Sequence, residues 1–230
     1  MQLRRLLKFS GIAAAVFVVS SVLFVTAYKF IDPPFTPIMV IRIYEGWFDG
    51  RNITIHKDWV DYNEISPNFF KAVIASEDGK FFQHSGFDWQ AIERAYKYNK
   101  RHKGRKKQGA STISMQTAKN VFLWHGRVYL RKALEAYFTV LIEWIWGKQR
   151  ILEVYANVIE FGEGIYGVEE AAERFFGTSA ANLSPREAVL LTAVLPNPRR
   201  WSPDAPTKYI RKRAATIRER MRAVHLPRKK

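Results

Sequence analysis

Glu77 has the surroundings that a proton-transfer catalyst needs. Ser66 can cap a helix, and Pro67 suits its first turn, where a missing N–H costs nothing. Phe69, Phe70, Val73, Ile74 and Glu77 then recur at helical spacing, so an apolar face ends in a carboxylate. Partial desolvation raises a carboxyl pKa toward the range of a general base. The competing reading is a solvated Glu at a helix end, the usual fate of acidic side chains. Asp78 and the helix breaker Gly79 follow. After Phe81, His84 and Gly86, Asp88 can cap a helix from Trp89 to about Lys100.

Four more stretches carry chemistry-bearing residues. Gly109 to Gln116 is a small-residue entry into a helix, and a helix N-terminus can hold an anion through free N–H groups. Within it Ser111 or Thr112 can start the helix, and Gln116 shares a face with Lys119. Arg127, Arg131 and Glu135 are spaced by four, with Lys132 beside them. They form either a plain surface ion pair or a cationic wall beside a second carboxylate. Lys148 to Asn157 carries polar residues suited to bracing the fold. Ser184-Pro185-Arg186-Glu187 is a capping box that opens a helix to about Leu195, which Pro196 and Pro198 end.

The elements that must position these groups read as mainly helical. Val128 to Trp146 is a long helix with Leu130, Leu134, Phe138, Leu141, Ile142 and Ile145 as its stripe, ended by Gly147. Gln149–Phe161, Val168–Phe176 and Lys208–Val224 are further helices. Lys97 to Gln108 is rich in Lys and Arg and reads as a mobile loop. Upstream, Lys29 to Pro37 is a Pro-rich tether. Ile38–Ile43 and Ile53–Ile55 read as short strands, in a hairpin or an irregular linker.

Charge and hydropathy bound the setting. A formal net charge of +16 calls for a polyanionic partner: nucleic acid, anionic lipid or a phosphorylated substrate. There is no Cys, which excludes disulfides and thiolate-bound metal. Phe9 to Tyr28 holds no charged residue, and about 20 such residues span a bilayer as a helix. Arg4, Arg5 and Lys8 precede it and belong on the cytoplasmic side. A cleaved signal peptide, with Val25-Thr26-Ala27 as its cleavage site, is the competing reading. Either way the main domain lies outside the cytoplasm, which sets nucleic acid aside and favours lipid phosphate. The division is a tail at 1–8, an anchor at 9–28, the tether and strands at 29–62, and the main domain at 63–230.

Together the five stretches resemble the peptidoglycan glycosyltransferases in their monofunctional biosynthetic form. The family's Glu-Asp-x-x-Phe-x-x-His-x-Gly is matched by Glu77, Asp78, Phe81, His84 and Gly86. Gly-x-Ser-Thr-Ile-x-x-Gln is matched from Gly109 to Gln116, and Arg-Lys-x-x-Glu by Arg131, Lys132 and Glu135. Lys-x-x-Ile-Leu-Glu-x-Tyr-x-Asn is matched from Lys148 to Asn157, and the last motif at Arg186-Glu187-Ala188. All occur in family order, across roughly Asn63 to Ser202.

The resemblance implies a lysozyme-like, mainly α domain with a small membrane-associated lobe, for which the segment around Phe69 and Phe70 is the expected bilayer contact. It implies polymerisation of lipid II into β-1,4-linked glycan with inversion and release of polyprenyl diphosphate. Glu77 and Glu135 are the implied catalytic residues. Asp78, Ser111, Thr112, Gln116, Lys119, Arg127, Arg131 and Lys132 are the implied substrate-binding residues. The implied partners are lipid II, the growing strand, membrane lipids, and cell-wall synthesis or division proteins. A divalent ion, Mg or Mn, could bridge Asp78 or Glu77 to the diphosphate, although spacing does not establish a metal site. The implied location is the inner membrane, single-pass, with the catalytic domain periplasmic. A lytic muramidase would share the catalytic Glu but has no use for a diphosphate-binding face. A bifunctional penicillin-binding protein would add Ser-x-x-Lys and Lys-Thr-Gly motifs, which this chain lacks. A non-enzymatic binder of anionic lipid would leave the motifs without a reason.

Overall fold

Helix starts follow the caps that the sequence carries. A computed structural model describes residues 2–102, 108–126 and 128–227. The centre of the basic run and Arg127 lie outside the described residues. Ser66 and Ser184 accept the N–H of Asn68 and Glu187, each followed by Pro at the first helical position. They open α3 (Pro67–Glu77) and α9 (Pro185–Val194), and Glu187 completes the capping box at Ser184. Asp88 caps α4 (Trp89–Arg101), Thr112 caps α5 (Ile113–Phe122) and Thr207 caps α10 (Lys208–Met221). α6 (Tyr129–Ile145), α7 (Gly147–Val158) and α8 (Val168–Phe176) complete the main domain.

One continuous apolar core joins α3 and α5 to α10, while α4 contributes no residue to it. α5 packs on α6 and α7, while α3 packs on α9 and α10. Phe69, Phe70, Ile113, Ile142, Ile151 and Tyr155 are fully buried at the centre. Phe69 and Phe70 are therefore core residues and not the bilayer contact expected of them. Exposed apolar side chains lie elsewhere, including Trp47 and Phe48 near the N-terminal helices and Tyr129, Val140 and Trp144 on α6. Leu130, expected on the α6 stripe, is 64 % exposed, because the buried face runs through Phe138, Leu141 and Ile142.

Before the main domain, α1 (Gln2–Phe30) contains a 23-residue apolar segment, Lys8–Phe30, long and apolar enough to cross a membrane. Its outer half is exposed and its inner end packs on α6. Trp146 donates its indole N–H to the Val25 carbonyl at 2.7 Å. Ser21 and Tyr137 hydroxyls meet at 2.6 Å. Arg150 donates to the carbonyls of Tyr28 and Ile31, and Lys57 to those of Pro33 and Pro34. The chain after α1 is thus gripped by the helices that follow it.

The segment Ile38–Ile43, expected as a strand, is helical: α2 runs Pro37–Phe48. Thr36 accepts the Met39 N–H and Pro37 occupies the first turn, the same start as at Ser66-Pro67. A short apolar run does not distinguish helix from strand, and here the cap decides. The expected strand at Ile53–Ile55 is replaced by β1 (His56–Lys57), three residues further on. β1 pairs in parallel with β3 (Ile165–Tyr166), and β3 pairs antiparallel with β2 (Glu160–Gly162). Phe161, expected at the end of a helix, therefore lies in a strand. Lys97–Arg101, expected in a loop, continues α4.

Candidate active site

α3 ends with two carboxylates that face different partners. Asp78 turns inward and is buried. Its Oδ1 meets His84 Nε2 at 2.9 Å, and its Oδ2 accepts the Ile113 N–H at 3.1 Å. Burial pushes its carboxyl above the ordinary 3.8, opposed by His84 and the Ile113 N–H. Asp78 thereby ties the end of α3 to the start of α5. Thr112 reinforces the joint: its hydroxyl donates to the Gly86 carbonyl at 2.6 Å and accepts the Met115 N–H. Gly86 sits at φ +90°, and a Cβ there would lie 2.8 Å from Thr139 and 3.2 Å from Glu143. This glycine lets the loop after α3 press against α6.

Glu77 keeps its carboxylate at the surface edge, 16 % exposed. Ser76 donates to Oε1 at 2.7 Å and Gln116 donates to Oε2 at 3.1 Å. Tyr155 is fully buried and donates to Gln116 Oε1 at 3.4 Å, which turns the amide nitrogen toward Glu77. Arg213, far along the chain on α10, reaches Ser76 at 3.0 Å and Glu77 Oε1 at 3.3 Å. Sequence reasoning passed over Arg213 and Tyr155 as site residues. The only signal for Arg213 is one cation among many on a basic helix, and its pairing spans 136 residues.

Glu135 forms the second centre. It is buried on α6, with Arg131 Nη1 at 2.5 Å and Lys132 Nζ on its other oxygen. Lys119, on α5, faces the same group. Burial pushes its ammonium down from the ordinary 10.5, while Glu135 opposes that shift. Three cations around one carboxylate leave a local excess of two positive charges. An uncompensated positive excess of this kind suits a multiply charged anion. Ser111 is exposed beside the N-terminus of α5.

A cleft of about 390 Å³ is lined by Gln116, Lys119, His125, Glu160, Tyr166 and Asn197 among others. Neither Glu77 nor Glu135 lines it; Gln116, which donates to Glu77, and Lys119, which feels the charge of Glu135, connect them to it. Burial, then Arg42 and Lys119, push the His125 imidazole down to about 4. His125 is thus a neutral wall at physiological pH.

The Lys148–Asn157 residues brace the fold, as their sequence suggests. Lys148 pairs with Glu143 at 2.7 Å and lies 4.4 Å over the Phe81 ring. Asn157 exchanges hydrogen bonds with the Val60 backbone, and Glu153 accepts the Tyr62 N–H. The acidic group with metal-ligand spacing among the described residues is Asp58, Glu170 and Glu173, away from the cleft lining. At Glu77 and Asp78 the donor set does not fit a bridging divalent ion: both Asp78 oxygens are engaged inward, and Glu77 faces a guanidinium.

Comparison with known proteins agrees with this arrangement. The transglycosylase family model matches residues 49–222. A biosynthetic peptidoglycan transglycosylase from Bdellovibrio bacteriovorus is 54 % identical over 209 residues, covering 91 % of this chain and 83 % of the relative. Its counterpart from Pseudomonas fluorescens is 53 % identical over 205 residues, 89 % and 85 % of the two chains. One from Xanthomonas campestris is 48 % identical over 225 residues, 97 % and 91 %. With the family match covering the elements that carry both carboxylate centres, the chain belongs to the transglycosylase family.

Proposed function

We propose that this peptidoglycan glycosyltransferase of cell-wall synthesis polymerises lipid II by the two centres described above. Glu77 takes the proton of the acceptor 4-hydroxyl as that oxygen attacks the donor's anomeric carbon. The bond to the polyprenyl diphosphate breaks on the opposite face, so the α-linked donor becomes a β-1,4 linkage. The diphosphate leaves as an anion, and Lys119, Arg131 and Lys132 stabilise it where charge develops. Glu135 holds those cations in place and stabilises positive charge that develops at the anomeric carbon. Gln116, oriented by Tyr155, and Arg213 fix the Glu77 carboxylate. Asp78 and Thr112 set the joint between α3 and α5. Ser111 at the start of α5 is available to the donor's phosphates, and Arg127 adjoins this group in sequence.

The observation that carries this reading is the cationic excess around buried Glu135. A hydrolase acting on a glycosidic oxygen needs an acid there and gains nothing from three cations. The apolar α1 supports an anchor in the inner membrane, with Arg4, Arg5 and Lys8 cytoplasmic and the main domain periplasmic. The exposed apolar side chains of α2 and α6 support a membrane-associated lobe.

The test uses the full chain in detergent with lipid II. The expected product is a polymer that lysozyme digests. Glu77→Gln keeps the shape and removes the base, so turnover falls at least about 10²-fold with folding intact. Near-normal polymerisation by the folded variant would remove Glu77 from the role of base.

A further inference from the structure

Helix α4 stands apart from the core that its neighbours share. Its inner side is held by the chain that leads into α5: Asn99 exchanges hydrogen bonds with the Gln108 backbone, at 2.8 and 3.0 Å. Ala95 is its only buried residue. The outer side sets aromatic residues beside cations. Trp89, Ile92 and Tyr96 recur at helical spacing on one face. Trp89 is 72 % and Tyr96 67 % exposed, and Phe87 stacks on Trp89 at 5.5 Å. Lys97 and Lys100 flank that stripe, with Arg94 and Arg101 beyond them. Against these four cations α4 carries one acid, Glu93, so three positive charges are in excess. Lys97 pairs with Glu93 at 2.6 Å, and Arg94 reaches Asp88 at 3.9 Å. Among the described residues Lys100 and Arg101 have no carboxylate partner.

α1 serves as a depth gauge for this helix. On α6, Tyr137 meets Ser21 and Trp146 meets Val25. Thr139 and Glu143 lie between those two contacts in α6, and Gly86 is pressed against both. Ser21 and Val25 precede Phe30, the last residue of the apolar segment, by nine and five positions, which is about 14 and 8 Å along a helix. With α1 across the bilayer, the turn from Gly86 to Trp89 comes level with the boundary between headgroups and acyl chains. Helices that lie at that boundary turn Trp and other apolar side chains toward the acyl chains and Lys or Arg toward the phosphates.

We propose that α4 is an interfacial helix that binds acidic phospholipid. Trp89 and Tyr96 enter the outer leaflet, and Lys97, Lys100 and Arg101 gather its negatively charged headgroups. Charge selects the lipid, because an excess of cations gains from an acidic surface and little from a zwitterionic one. The cations are spread along one helix and open to solvent, Lys97 at 70 % and Arg94 at 61 %. That spread suits a sheet of separate headgroups and not one ligand held by converging groups. The contact lies outside the lobe of α2 and α6 and depends, as that lobe does, on α1 crossing the bilayer.

The chain has no Cys, so Tyr96→Cys carries a fluorescent probe at one place only. The full chain is reconstituted, without substrate, in vesicles that mix phosphatidylcholine with phosphatidylglycerol. A quencher is attached to the headgroup of one lipid or the other at equal mole fraction. The quencher on phosphatidylglycerol should be about fivefold the more effective, the enrichment given by one cation at an acidic surface. With Lys97, Lys100 and Arg101 all changed to Gln, the two quenchers should become equal. Glu93→Gln, which removes the acid of the helix, should raise the preference. A probe that stays open to aqueous iodide and is quenched by neither lipid overturns the proposal. So does equal quenching in the original chain, or a preference that the triple variant keeps. If the triple variant fails to fold, Lys100→Gln alone must lower the preference. None of these side chains lines the cleft, so polymerisation in neutral detergent stays within about twofold of the original. A chain that alkaline carbonate strips from the vesicles would refute the span of α1 separately.

Discussion

Replacing Gly86 with Ala tests how the first carboxylate centre is seated against α6. Two costs are separable. The backbone at φ +90° strains any L side chain, which costs about 1–3 kcal/mol. The added methyl would also stand 2.8 Å from Thr139 Cγ2 and 3.2 Å from Glu143 Cγ, and such overpacking costs about 1–3 kcal/mol. Gly86→Ala should therefore destabilise the domain by roughly 2–6 kcal/mol, the sum of those ranges. Two other glycines isolate the contributions. Gly177 has φ +63° but open space around a Cβ, so Gly177→Ala carries the strain alone, about 1–2 kcal/mol. Gly79 has neither positive φ nor a close neighbour, so Gly79→Ala should stay within about 0.5 kcal/mol. Urea unfolding in detergent, followed by tryptophan fluorescence, gives the three values. The expected order is Gly79, Gly177, Gly86, with polymerisation falling most for Gly86→Ala because the loop carries the Thr112 joint. A Gly86→Ala variant no less stable than Gly177→Ala would refute the close packing on α6.

Three further outcomes are expected. Replacing Lys119 or Arg131 with Ala should impair donor use more than acceptor use, measured with separate donor and acceptor analogues; equal impairment would take the cations away from the leaving group. Lys57 has its ammonium pushed down to about 8 by burial, with Asp32 opposing, so the folded state holds fewer protons than the unfolded one between about 8 and 10.5. Its contribution to stability thus rises with pH across that window, and Lys57→Met should abolish this rise in the difference between the two stability curves. Protease added to spheroplasts should destroy the main domain and spare a tag placed before Met1; a protected main domain would overturn the orientation.

Much of the site was legible because it is local. Glu77, Asp78 and Gly86 fall within one short stretch, and Arg131, Lys132 and Glu135 share one helical face, so spacing alone brings each set together. Helix α8 spans the residues that its periodicity gives, and the Ser184 box caps α9 as read. What escaped needed distant chain segments. Arg213 meets Glu77 only because α10 packs on α3, and Glu160 meets Arg42 only because β2 lies beside α2. The α2 error was of another kind. Its cap, Thr36-Pro37, stands in the sequence, but Pro33, Pro34 and Pro37 together have the composition of a stiff tether, which masks a helix start. Phe69 and Phe70 show the limit of reading aromatic residues as membrane contacts: an apolar stripe seeks burial, and here the protein supplies it.

The grip on the segment after α1 changes what kind of machine this is. Trp59 is flanked by Lys57 at 5.1 Å and Arg150 at 5.2 Å, and those two cations hold four carbonyls between Tyr28 and Pro34. With the Trp146 bond to Val25, the link behaves as a bracket and not as a leash. An enzyme held this way, in the orientation proposed above, has little pitch or roll relative to the bilayer. It keeps translation in the plane and yaw about the membrane normal. The height of the cleft above the lipid then becomes a fixed dimension, and each new strand leaves at one angle to the surface.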